Sequence, residues 1–451
     1  MLCGSGSLLI CVSGGADSMC LLEVMRRLSC DVGFSIAVAH FNHELRGEES
    51  DRDEAFVKEV CDGLGIPFYV GRGNVAEFAK GHGLSVEEAA RDMRYEFFYD
   101  VASKVGATCI ATAHTLDDNA ETMLINLARG AGAKGMSGIP PVRGLGGRLH
   151  NVTQIIRPLL CVFRDEVMEF VSEHGVVYVE DSTNSSDVYT RNKIRHNVVP
   201  LLRELNPRFV DAAGVTAQLL RADESFIDGV ADAFIEESCV DDKVSVEKLL
   251  DLPFAVSSRV IRKLYGGSLS FGHVRDVLSL CASSNPSASL SLPGMVVCRE
   301  YEFLVFGSKS MEANCGIDPI YPVEGSSYVM SSAGIKMSCK TAIYDENLCK
   351  AEINTSFTSF VFKSIDICGK ITVRSRFEGD YIKFPGKRGT KSLKKLFIEK
   401  RIPARERNLC PIICDEQGVL GVYKLGVGER ARPELGDSVT ILIFEDLRRE
   451  H

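Results

Sequence analysis

The chain has 451 residues, of which 45% are hydrophobic and 25% charged, an ordinary globular composition for about two to four domains. Its formal net charge of −9 weighs against a nucleic-acid binder, because proteins of that class are often basic. No apolar run approaches the roughly 20 residues of a membrane span, which excludes a membrane-spanning class.

Strand-like and helix-like patterns alternate through the N-terminal part of the chain. The predicted strands are Leu8–Val12, Phe34–His40, Pro67–Val70 and Cys109–Ala113. The predicted helices are Met19–Leu28, Glu49–Leu64, Val86–Val105 and Asp118–Ala128. Because apolar, β-branched strands alternate regularly with amphipathic helices, we predict a Rossmann-like α/β fold whose mostly parallel sheet is covered on both faces.

Polar motifs end three of these strands. A Ser-Gly-Gly-Ala-Asp-Ser run from Ser13 to Ser18 follows the first strand, His40-Phe41-Asn42-His43 ends the second, and His114 follows the fourth. Ligands bind at the carboxyl ends of strands in open parallel sheets. The three motifs are therefore expected to meet in one ligand site.

A segment rich in glycine and proline, residues 130–147, follows this alternation. We interpret it as a mobile loop close enough to the site to act as a lid, with an ordinary surface connection as the alternative.

The pattern changes after the α/β domain, which we predict over residues 1–205. Residues 206–308 predict a smaller, mainly helical domain with helices such as Val246–Leu252 and Phe254–Leu264, followed by short strands near Val296–Phe306. Residues 309–365 form a linker region of uncertain structure. Residues 366–451 predict a small α/β C-terminal domain, with strands Lys370–Ser375 and Val439–Phe444 around a basic helix.

The run Ser13-Gly14-Gly15-Ala16-Asp17-Ser18 has the order strand, glycine turn, helix that phosphate binding requires. Glycines let the backbone approach an anion, serine hydroxyls donate, and a helix N-terminus supplies free N–H groups. A Walker A lysine and a dinucleotide Gly-x-Gly-x-x-Gly pattern are both missing here. Phosphate alone would repel Asp17, so its presence predicts a divalent cation between them.

A second candidate segment runs from His114 to Thr122 and contains adjacent carboxylates, Asp117 and Asp118. Adjacent carboxylates repel unless they share a cation or one of them caps a helix. We predict that Asp118, together with Asp17 and with Asp117 as a further metal candidate, holds Mg²⁺ against the phosphates. His114 would bind phosphate or leaving pyrophosphate. The alternative is helix capping by Asp117.

Basic residues concentrate near the C-terminus. Between Lys383 and Arg407 there are ten lysines and arginines and two acids, Glu399 and Glu406, a local excess of +8. Leu393, Leu396 and Phe397 form an apolar stripe that would leave Lys391, Lys394 and Lys395 facing outward on one helix. We predict that this helix binds a phosphate backbone, with a merely solvated basic face as the alternative.

The Ser13–Ser18 run resembles the PP-loop of the N-type ATP pyrophosphatases, and several ordered segments together resemble one family among them, the tRNA(Ile)-lysidine synthases. The similarity covers nearly the whole chain apart from residues 310–365. The segments are Ser13–Ser18, His43-Glu44-Leu45-Arg46, residues 87–95 (EEAARDMRY), His114–Thr122, Arg157-Pro158-Leu159-Leu160, Asp181-Ser182-Thr183-Asn184, residues 189–195 (YTRNKIR) and residues 391–407.

The resemblance implies a specific reaction. ATP would adenylate the oxygen on carbon 2 of the wobble cytidine in the CAU anticodon of tRNA(Ile), and the ε-amine of free L-lysine would then displace AMP to give lysidine. ATP is implied as co-substrate with Mg²⁺, tRNA(Ile) and lysine as partners. The sequence leaves the oligomeric state open, with a homodimer among the alternatives.

The resemblance also implies roles for single residues. Ser13, Gly14, Gly15, Ala16, Asp17 and Ser18 would bind ATP at its pyrophosphate end. Arg91 and Arg94 share a helix face, so one of them would contact the α-phosphate or the adenylated base. Arg191 and Arg195, four residues apart, would bind nucleotide or tRNA phosphate. Glu121 and Glu88 are open candidates to accept the proton of the lysine amine.

Three other interpretations stay open. A PP-loop enzyme that transfers sulfur to a tRNA base usually needs paired cysteines or an iron–sulfur cluster. A small-molecule amidotransferase-type synthetase would not need the basic C-terminal domain. A non-catalytic RNA-binding protein would not be expected to keep both Ser13–Ser18 and the Asp117-Asp118 pair intact.

The cysteines bear on the first alternative and on the compartment. Sixteen cysteines are scattered along the chain without a Cys-x-x-Cys pair. Because most stand in apolar surroundings, we interpret them as small buried residues of a reduced, cytoplasmic protein rather than as disulfides or zinc ligands. The N-terminal residues also lack the basic and apolar regions of a signal peptide.

Overall fold

The computed structural model describes residues 6–45, 47–144, 154–180, 190–240, 243–308, 316–346, 348 and 357–447. The chain divides into two units, Met1–Phe226 and Ile227–His451. The four-part domain division made from the sequence stays a prediction. Some predicted motif residues, namely Arg46 and residues 181–184, 189 and 145–147, lie outside the described residues.

A six-stranded sheet forms the centre of the described part of the first unit. Its strands are β1 (Ser7–Cys11), β2 (Ser35–Asn42), β3 (Phe68–Arg72), β4 (Cys109–Ala111), β5 (Val142–Gly144) and β6 (Gln154–Ile156). The strand order is β3-β2-β1-β4-β6-β5, with every pair parallel except β5 with β6. The predicted parallel α/β sheet is confirmed. Strands β5 and β6 were missed, because three residues carry too little periodicity to be distinguished.

Helices alternate with these strands and continue after β6. They are α1 (Ala16–Val32), α2 (Glu48–Leu64), α3 (Val75–His82), α4 (Val86–Lys104), α5 (Leu116–Ala128), α6 (Ala133–Met136), α7 (Arg164–Glu173), α8 (Thr190–Lys193), α9 (Val199–Leu205) and α10 (Phe209–Ser238). Of these, α1, α2, α4 and α7 pack on the two faces of the sheet. A π-helical turn, Ile194–Val198, joins α8 to α9. The four predicted helices are present with shifted ends as α1, α2, α4 and α5, whereas α3, α6 and α7 were missed.

Alternation along β1 explains the two covered faces. Leu8 and Ile10 belong to the core that contains α1, α2 and α7, whereas Leu9 and Cys11 belong to the core that contains α4. Successive side chains of a strand point to opposite faces, so this strand is apolar on both sides. The sheet therefore presents its polar groups at the ends of its strands.

The glycine-rich segment contains regular structure in its described part, up to residue 144. It includes α6 and β5, and its backbone bonds two neighbouring side chains. Arg221 donates to the carbonyl oxygens of Ser137 (2.7 Å) and Ile139 (3.2 Å), and the Ile139 N–H donates to Asn119 (2.7 Å). These bonds connect the segment to α5 and α10, and its role as a mobile lid stays a prediction.

The second unit combines helices with antiparallel sheets. Its helices are α11 (Val246–Asp251), α12 (Phe254–Tyr265), α13 (Phe271–Ala282) and α14 (Leu393–Glu399). Its strands are β7 (Cys239–Val240), β8 (Lys243–Ser245), β9 (Ser289–Leu292), β10 (Met295–Glu300), β11 (Phe303–Ser308), β12 (Ser327–Met330), β13 (Ile335–Ile343), β14 (Ser359–Lys363), β15 (Thr372–Arg374), β16 (Tyr381–Ile382), β17 (Lys391–Ser392), β18 (Ile412–Asp415), β19 (Gly418–Val422), β20 (Gly426–Val427) and β21 (Ser438–Asp446).

In the described residues of this unit the strands form four sheets, ordered β7-β8-β11-β10-β9, β12-β13-β21-β14, β15-β18-β19-β20 and β16-β17. The basic helix is shorter than predicted, since α14 ends at Glu399 and Lys391 lies in β17. Its predicted apolar stripe is confirmed, because Leu393, Leu396 and Phe397 are all buried. None of the helices described in either unit is both long and apolar enough to cross a membrane.

Candidate active site

The loop between β1 and α1 is built around Gly14 and Ser18. Gly14 has φ +97°, a conformation that favours glycine, and α1 begins after Gly15 without a side-chain cap. The Ser18 hydroxyl accepts from the N–H groups of Ser13 (3.1 Å) and Gly14 (3.2 Å) and donates to the Gly15 carbonyl oxygen (2.9 Å). Ser18 therefore shapes the loop, and the uncapped N–H groups of the first helical turn point to the loop mouth.

A cavity of about 550 Å³ lies at the carboxyl ends of β1, β2 and β4. It is lined by Ser13, Asp17 and Ser18 after β1, by His40 and Asn42 of β2, by Thr112 and His114 after β4, and by Arg94, Asp118 and Arg191 from helices. The expectation that the three strand-end motifs meet in one place is confirmed. The volume lies within the ~300–1,000 Å³ of small-molecule sites.

Asp17 lies at the mouth of the loop and has two differently placed oxygens. Oδ2 forms an ion pair with Arg164, the first residue of α7. Oδ1 is buried and has no hydrogen-bond partner among the described residues. Burial, opposed by Arg164 and assisted by the charge of Asp118, raises the pKa of Asp17. A buried carboxylate oxygen without a donor suits a cation or a further proton.

Asp118 faces the same cavity in a more positive environment. Its Oδ1 lies 3.1 Å from Arg195 Nη2 and 3.2 Å from Arg191 Nη2, and its Oδ2 accepts from the Thr115 N–H (2.9 Å). Burial alone would raise the pKa of Asp118, but Arg191, the Thr115 hydrogen bond and the neighbouring charges lower it below its ordinary value. Asp118 is thus held as a carboxylate.

Asp117, the third predicted metal ligand, is engaged elsewhere. Its Oδ2 accepts from the Arg164 N–H (2.8 Å) and its Oδ1 from Arg203 Nη2 (2.7 Å), and it is not among the residues that line the cavity. The alternative of capping by Asp117 is also wrong, because Thr115 is the N-cap of α5 and Asp118 completes its capping box. Asp17 and Asp118 are the carboxylates that could hold Mg²⁺, which commonly uses one or two together with phosphate and water.

Glu121 explains the spacing of Arg191 and Arg195. It is 2% exposed and accepts from Arg191 Nε (2.8 Å) and Arg195 Nε (2.6 Å). Removing one partner of a buried ion pair lowers the stability of the fold by about 3–5 kcal/mol, so both guanidiniums are held in place by their bonds to Glu121 of α5. Their role as ligands of nucleotide or tRNA phosphate stays a prediction. The spacings, carboxylates three apart and arginines four apart, are visible in the sequence, but the pairing of the two helices is not.

The two proposed proton acceptors are both engaged. Glu121 is paired with two guanidiniums as described, and Glu88 is exposed and accepts from the Ser85 N–H (3.1 Å) in the capping box of α4. Neither geometry presents a free carboxylate oxygen to the cavity. The structure thus gives no support to either as a proton acceptor.

His114 lines the cavity as an uncharged side chain. Burial, opposed by Asp118 and assisted by Arg157, lowers the pKa of His114 to about 4. Its Nδ1 lies 3.0 Å from the Thr112 hydroxyl, which fixes the ring. At neutral pH it can contribute a hydrogen bond to phosphate but not a positive charge.

The structure separates Arg91 from Arg94, which the sequence could not do. Arg94 lines the cavity, and burial, opposed by Tyr95, lowers its pKa. Arg91 is exposed on the same face of α4 and does not line the cavity. Arg94 is therefore the better placed of the two to meet a charged group inside the cavity.

Sequence reasoning missed Arg164, which pairs with Asp17 across 147 positions. No local sequence pattern indicates so distant a partner. Asn42 was expected at the site as part of the polar run that ends β2, and it lines the cavity, where it donates to Asp51 (3.1 Å) and Glu54 (3.0 Å).

The C-terminal basic residues divide into paired and unpaired groups. Lys383 pairs with Glu429, Lys391 with Glu399, Arg401 with Glu302 and Arg405 with Glu300. We define the C-terminal basic patch as the exposed basic residues that have no ion-pair partner among the described residues; they are Lys387, Arg388, Lys394, Lys395 and Lys400. Lys391 is corrected from an outward lysine to a half-buried, paired one.

A second cavity, of about 830 Å³, adjoins this patch within the C-terminal unit. Lys387 and Lys400 line it together with Arg432, Phe384 and Tyr344. Cationic and aromatic groups in one concave surface suit the phosphates and bases of a nucleic acid.

Comparison with known proteins gives two family matches. A family described as "PP-loop domain" matches residues 3–202, and one described as "TilS substrate C-terminal domain" matches residues 371–439. Among curated proteins, the tRNA(Ile)-lysidine synthase of Clostridioides difficile (strain 630) is 34% identical over 92% of this chain and 90% of its own length. That of Dehalococcoides mccartyi (strain CBDB1) is 33% identical over 94% and 92%.

Similar solved structures include U34-tRNA thiolase NcsA from Methanococcus maripaludis with its [4Fe-4S] cluster. It is 18% identical, with a TM-score of 0.41 over 48% of this chain and 73% of its own. A TILS C-terminal domain crystal structure is 23% identical, with a TM-score of 0.26 over 29% of this chain and 97% of its own.

Proposed function

The chain belongs to the tRNA(Ile)-lysidine synthase family, and from that premise we propose how its own residues carry the reaction. The enzyme joins free L-lysine to carbon 2 of the wobble cytidine in the CAU anticodon of tRNA(Ile), with ATP converted to AMP and pyrophosphate. The observation that carries the proposal is the single cavity that joins the β1–α1 loop to Asp17 and Asp118.

The first step is adenylation of the cytidine. The oxygen on carbon 2 attacks the α-phosphorus of ATP, and the bond from that phosphorus to the β,γ-pyrophosphate breaks. Free N–H groups at the start of α1 and the N–H of Gly15 would bind the pyrophosphate as its negative charge grows. The neutral His114 would add a hydrogen bond.

The α-phosphate needs positive charge inside the cavity. Arg94 is the candidate, since it lines the cavity and no carboxylate of the described residues pairs with it. Arg191 also lines the cavity, but its guanidinium is bound to Glu121 and Asp118. A half-buried arginine that faces the cavity without a carboxylate partner is suited to stabilise a transferring phosphoryl group.

Mg²⁺ is proposed as the cation of this site. Asp17 and Asp118 would hold it, and the unpartnered Oδ1 of Asp17 supports the proposal. When bound, the ion would neutralise phosphate charge and orient the pyrophosphate. Displacement of Arg164 from Asp17 would free the second oxygen of that carboxylate.

The second step replaces AMP by lysine. The neutral ε-amine attacks carbon 2, the carbon–oxygen bond breaks so that the oxygen leaves with AMP, and the amine loses its proton to water. The cavity volume of about 550 Å³ has to admit the base, the adenylate and lysine, so the cytidine must leave its stack to enter. The C-terminal basic patch would hold the tRNA by its backbone. A homodimer and a cytoplasmic location stay predictions from the sequence.

The experiment that tests this function compares the wild type with two variants that each change one residue of α1. We expect the purified enzyme to release AMP and pyrophosphate and to place labelled lysine in a tRNA(Ile) transcript with a CAU anticodon. Asp17→Asn should lower pyrophosphate release by about 100-fold or more, because the carboxylate charge is lost, with an unchanged Kd for tRNA. Asp31→Asn, an exposed change on the same helix, is the matched control.

Two results would contradict the proposal. Sulfur transfer to the tRNA without lysine incorporation would assign the enzyme to another modification. Loss of tRNA binding in Asp17→Asn would place Asp17 in the RNA contact rather than in the ATP site.

A further inference from the structure

Four arginines surround one buried aromatic ring in the described part of the N-terminal unit. The Cζ atoms of Arg91, Arg94 and Arg143 lie 5.3, 5.9 and 5.3 Å from the centroid of Tyr95, which is 8% exposed. Tyr95 also interacts electrostatically with Arg157, where it opposes the lowering of the Arg157 pKa by burial. We call these four arginines the Tyr95 arginine cluster.

The cluster carries positive charge without a balancing carboxylate among the described residues. Its hydrogen-bond partners there are neutral. Arg143 Nη2 donates to the Tyr99 hydroxyl (2.9 Å), and Arg157 Nη1 donates to the Pro140 carbonyl oxygen (2.6 Å). Burial lowers the pKa of Arg157, and the charges of Arg143 and Arg91 lower it further. Like charges this close destabilise the protein unless an anion joins them.

Arg157 adds a second, independent observation. Its side chain lies in a residue that is 5% exposed, and its Nε is buried without a hydrogen-bond partner among the described residues. A buried donor without an acceptor costs about 1–3 kcal/mol, and more when it is charged. An anion at the cluster would supply both the missing acceptor and the missing charge.

The position of the cluster favours RNA over ATP as the source of that anion. Arg157 follows β6 and Arg143 lies on the edge strand β5, whereas the phosphate-binding loop follows β1. Strand β4 lies between β1 and β6, so the two places are about 10 Å apart at roughly 4.8 Å per strand. Arg143 and Arg91 are partly or fully exposed, which lets a polymer reach them.

We propose that Arg91, Arg143 and Arg157 of the Tyr95 arginine cluster bind a backbone phosphate of the RNA next to the nucleotide that enters the cavity, while Arg94 faces the ATP site. Arg94 and Tyr95 line the cavity, so the cluster begins where the cavity ends. A phosphate fixed there would set how deeply the neighbouring base enters. The inference rests on the proposed function, since it takes RNA as the substrate.

The test uses the full chain and substitutions at Arg143, whose side chain is only half-buried. We expect Arg143→Gln to raise the Kd for tRNA about three- to tenfold and to lower the slope of log K against log salt by about 1, with an unchanged Kd for ATP measured without RNA. Arg143→Lys should restore part of the affinity. Arg129→Gln, an exposed arginine after α5, is the matched control.

Each outcome decides for or against the inference. A weaker Kd for ATP with unchanged tRNA binding would assign the anion to the nucleotide and overturn it. Unchanged binding of both would leave the arginines as packing around Tyr95 and overturn it as well. Failure of the proposed function is distinguishable, because it appears in the wild type as missing lysine incorporation.

Discussion

His40 is a buried titratable residue that supports the structure beside the phosphate-binding loop. It is 4% exposed, and its Nδ1 lies 2.9 Å from the carbonyl oxygen of Val12, next to the phosphate-binding loop. A carbonyl oxygen only accepts, so Nδ1 carries the proton and a charged ring would need a second proton on Nε2. Burial lowers the pKa of His40, although the Val12 bond and the charges of Glu54 and Asp53 oppose this.

This pKa makes the N-terminal unit sensitive to acid. The pKa of His40 in the folded chain lies below its unfolded value of about 6.5. Between the two pKa values the unfolded chain therefore binds a proton at His40 that the folded chain does not bind. The contribution of neutral His40 to the free energy of unfolding is therefore fully present above about pH 6.5 and is lost as the pH falls below that value. We expect the Tm of the wild type to exceed that of His40→Gln at pH 7.5 and the difference to shrink at pH 5.5.

The control for this prediction is His82→Gln. His82 is exposed, and its Nδ1 also bonds a backbone carbonyl oxygen, that of Phe78 at 3.0 Å. Any pH effect in this variant measures the loss of an exposed histidine and is subtracted. A difference between wild type and His40→Gln that stays constant with pH would show that His40 titrates alike in both states.

Single residues also show what the sequence could and could not predict about the site. The motif from Ser13 to Ser18 and the presence of Asp118 and His114 in one cavity follow from local order and strand ends. The partners do not, because Asp17 with Arg164 and Glu121 with Arg195 join residues far apart in the chain. Local patterns therefore predict which side chains belong to the site, but only the folded structure shows which of them already have an ion-pair partner.

Helix α14 shows at the level of an element how a charge count can mislead. The excess of +8 between Lys383 and Arg407 counted only acids within that window. In the structure, Glu300, Glu302 and Glu429 come from other segments and pair with residues of the window. The charge available to a ligand is thus that of the C-terminal basic patch, which is smaller and more localised.

A prediction for this element follows from the two exposed lysines of α14. We expect Lys394→Ala/Lys395→Ala to raise the Kd for tRNA about tenfold and to lower the salt slope by about 2, because two phosphate contacts are lost. Lysine incorporation at saturating tRNA should be unchanged. The helix should persist, because alanine favours helices and the buried Leu396 and Phe397 are kept.

The matched control is Lys248→Ala/Lys340→Ala, two exposed lysines of the same unit outside the C-terminal basic patch. It removes the same charge from the chain but not from the patch. An equal loss of tRNA affinity in both double variants would mean that overall charge, rather than the patch, attracts the RNA.

At the level of the whole molecule, the acidic balance of the chain and its proposed RNA substrate are compatible. A net charge of −9 disfavours non-specific binding of polyanions, so affinity has to come from places where positive charge is concentrated. The structure offers the Tyr95 arginine cluster in the first unit and the C-terminal basic patch in the second. A long tRNA is the kind of ligand that can contact both.

Fold prediction at this scale succeeded where periodicity is strong. The parallel sheet with its long helices was predictable from alternating apolar strands, and the strands predicted near Val296–Phe306, Lys370–Ser375 and Val439–Phe444 are present as β10, β11, β15 and β21. Strands β5 and β6 and several of the two-residue strands, such as β16, β17 and β20, were not predicted. Strands of two or three residues are defined by their partners across the sheet rather than by their own pattern. The edge strand β5, which carries Arg143, could therefore not be predicted from the sequence.

Simultaneous use of both surfaces gives the last prediction. The Tyr95 arginine cluster and the C-terminal basic patch belong to different units and share no partner among the described residues. If one tRNA contacts both at once, Arg143→Gln combined with Lys394→Ala/Lys395→Ala should multiply the two increases in Kd, with binding free energies that add within about 0.5 kcal/mol. Arg129→Gln combined with Lys248→Ala/Lys340→Ala should leave the Kd unchanged. A combined variant no weaker than the weaker of its parents would show that the two surfaces bind RNA in separate complexes, because each loss would then affect a different bound state.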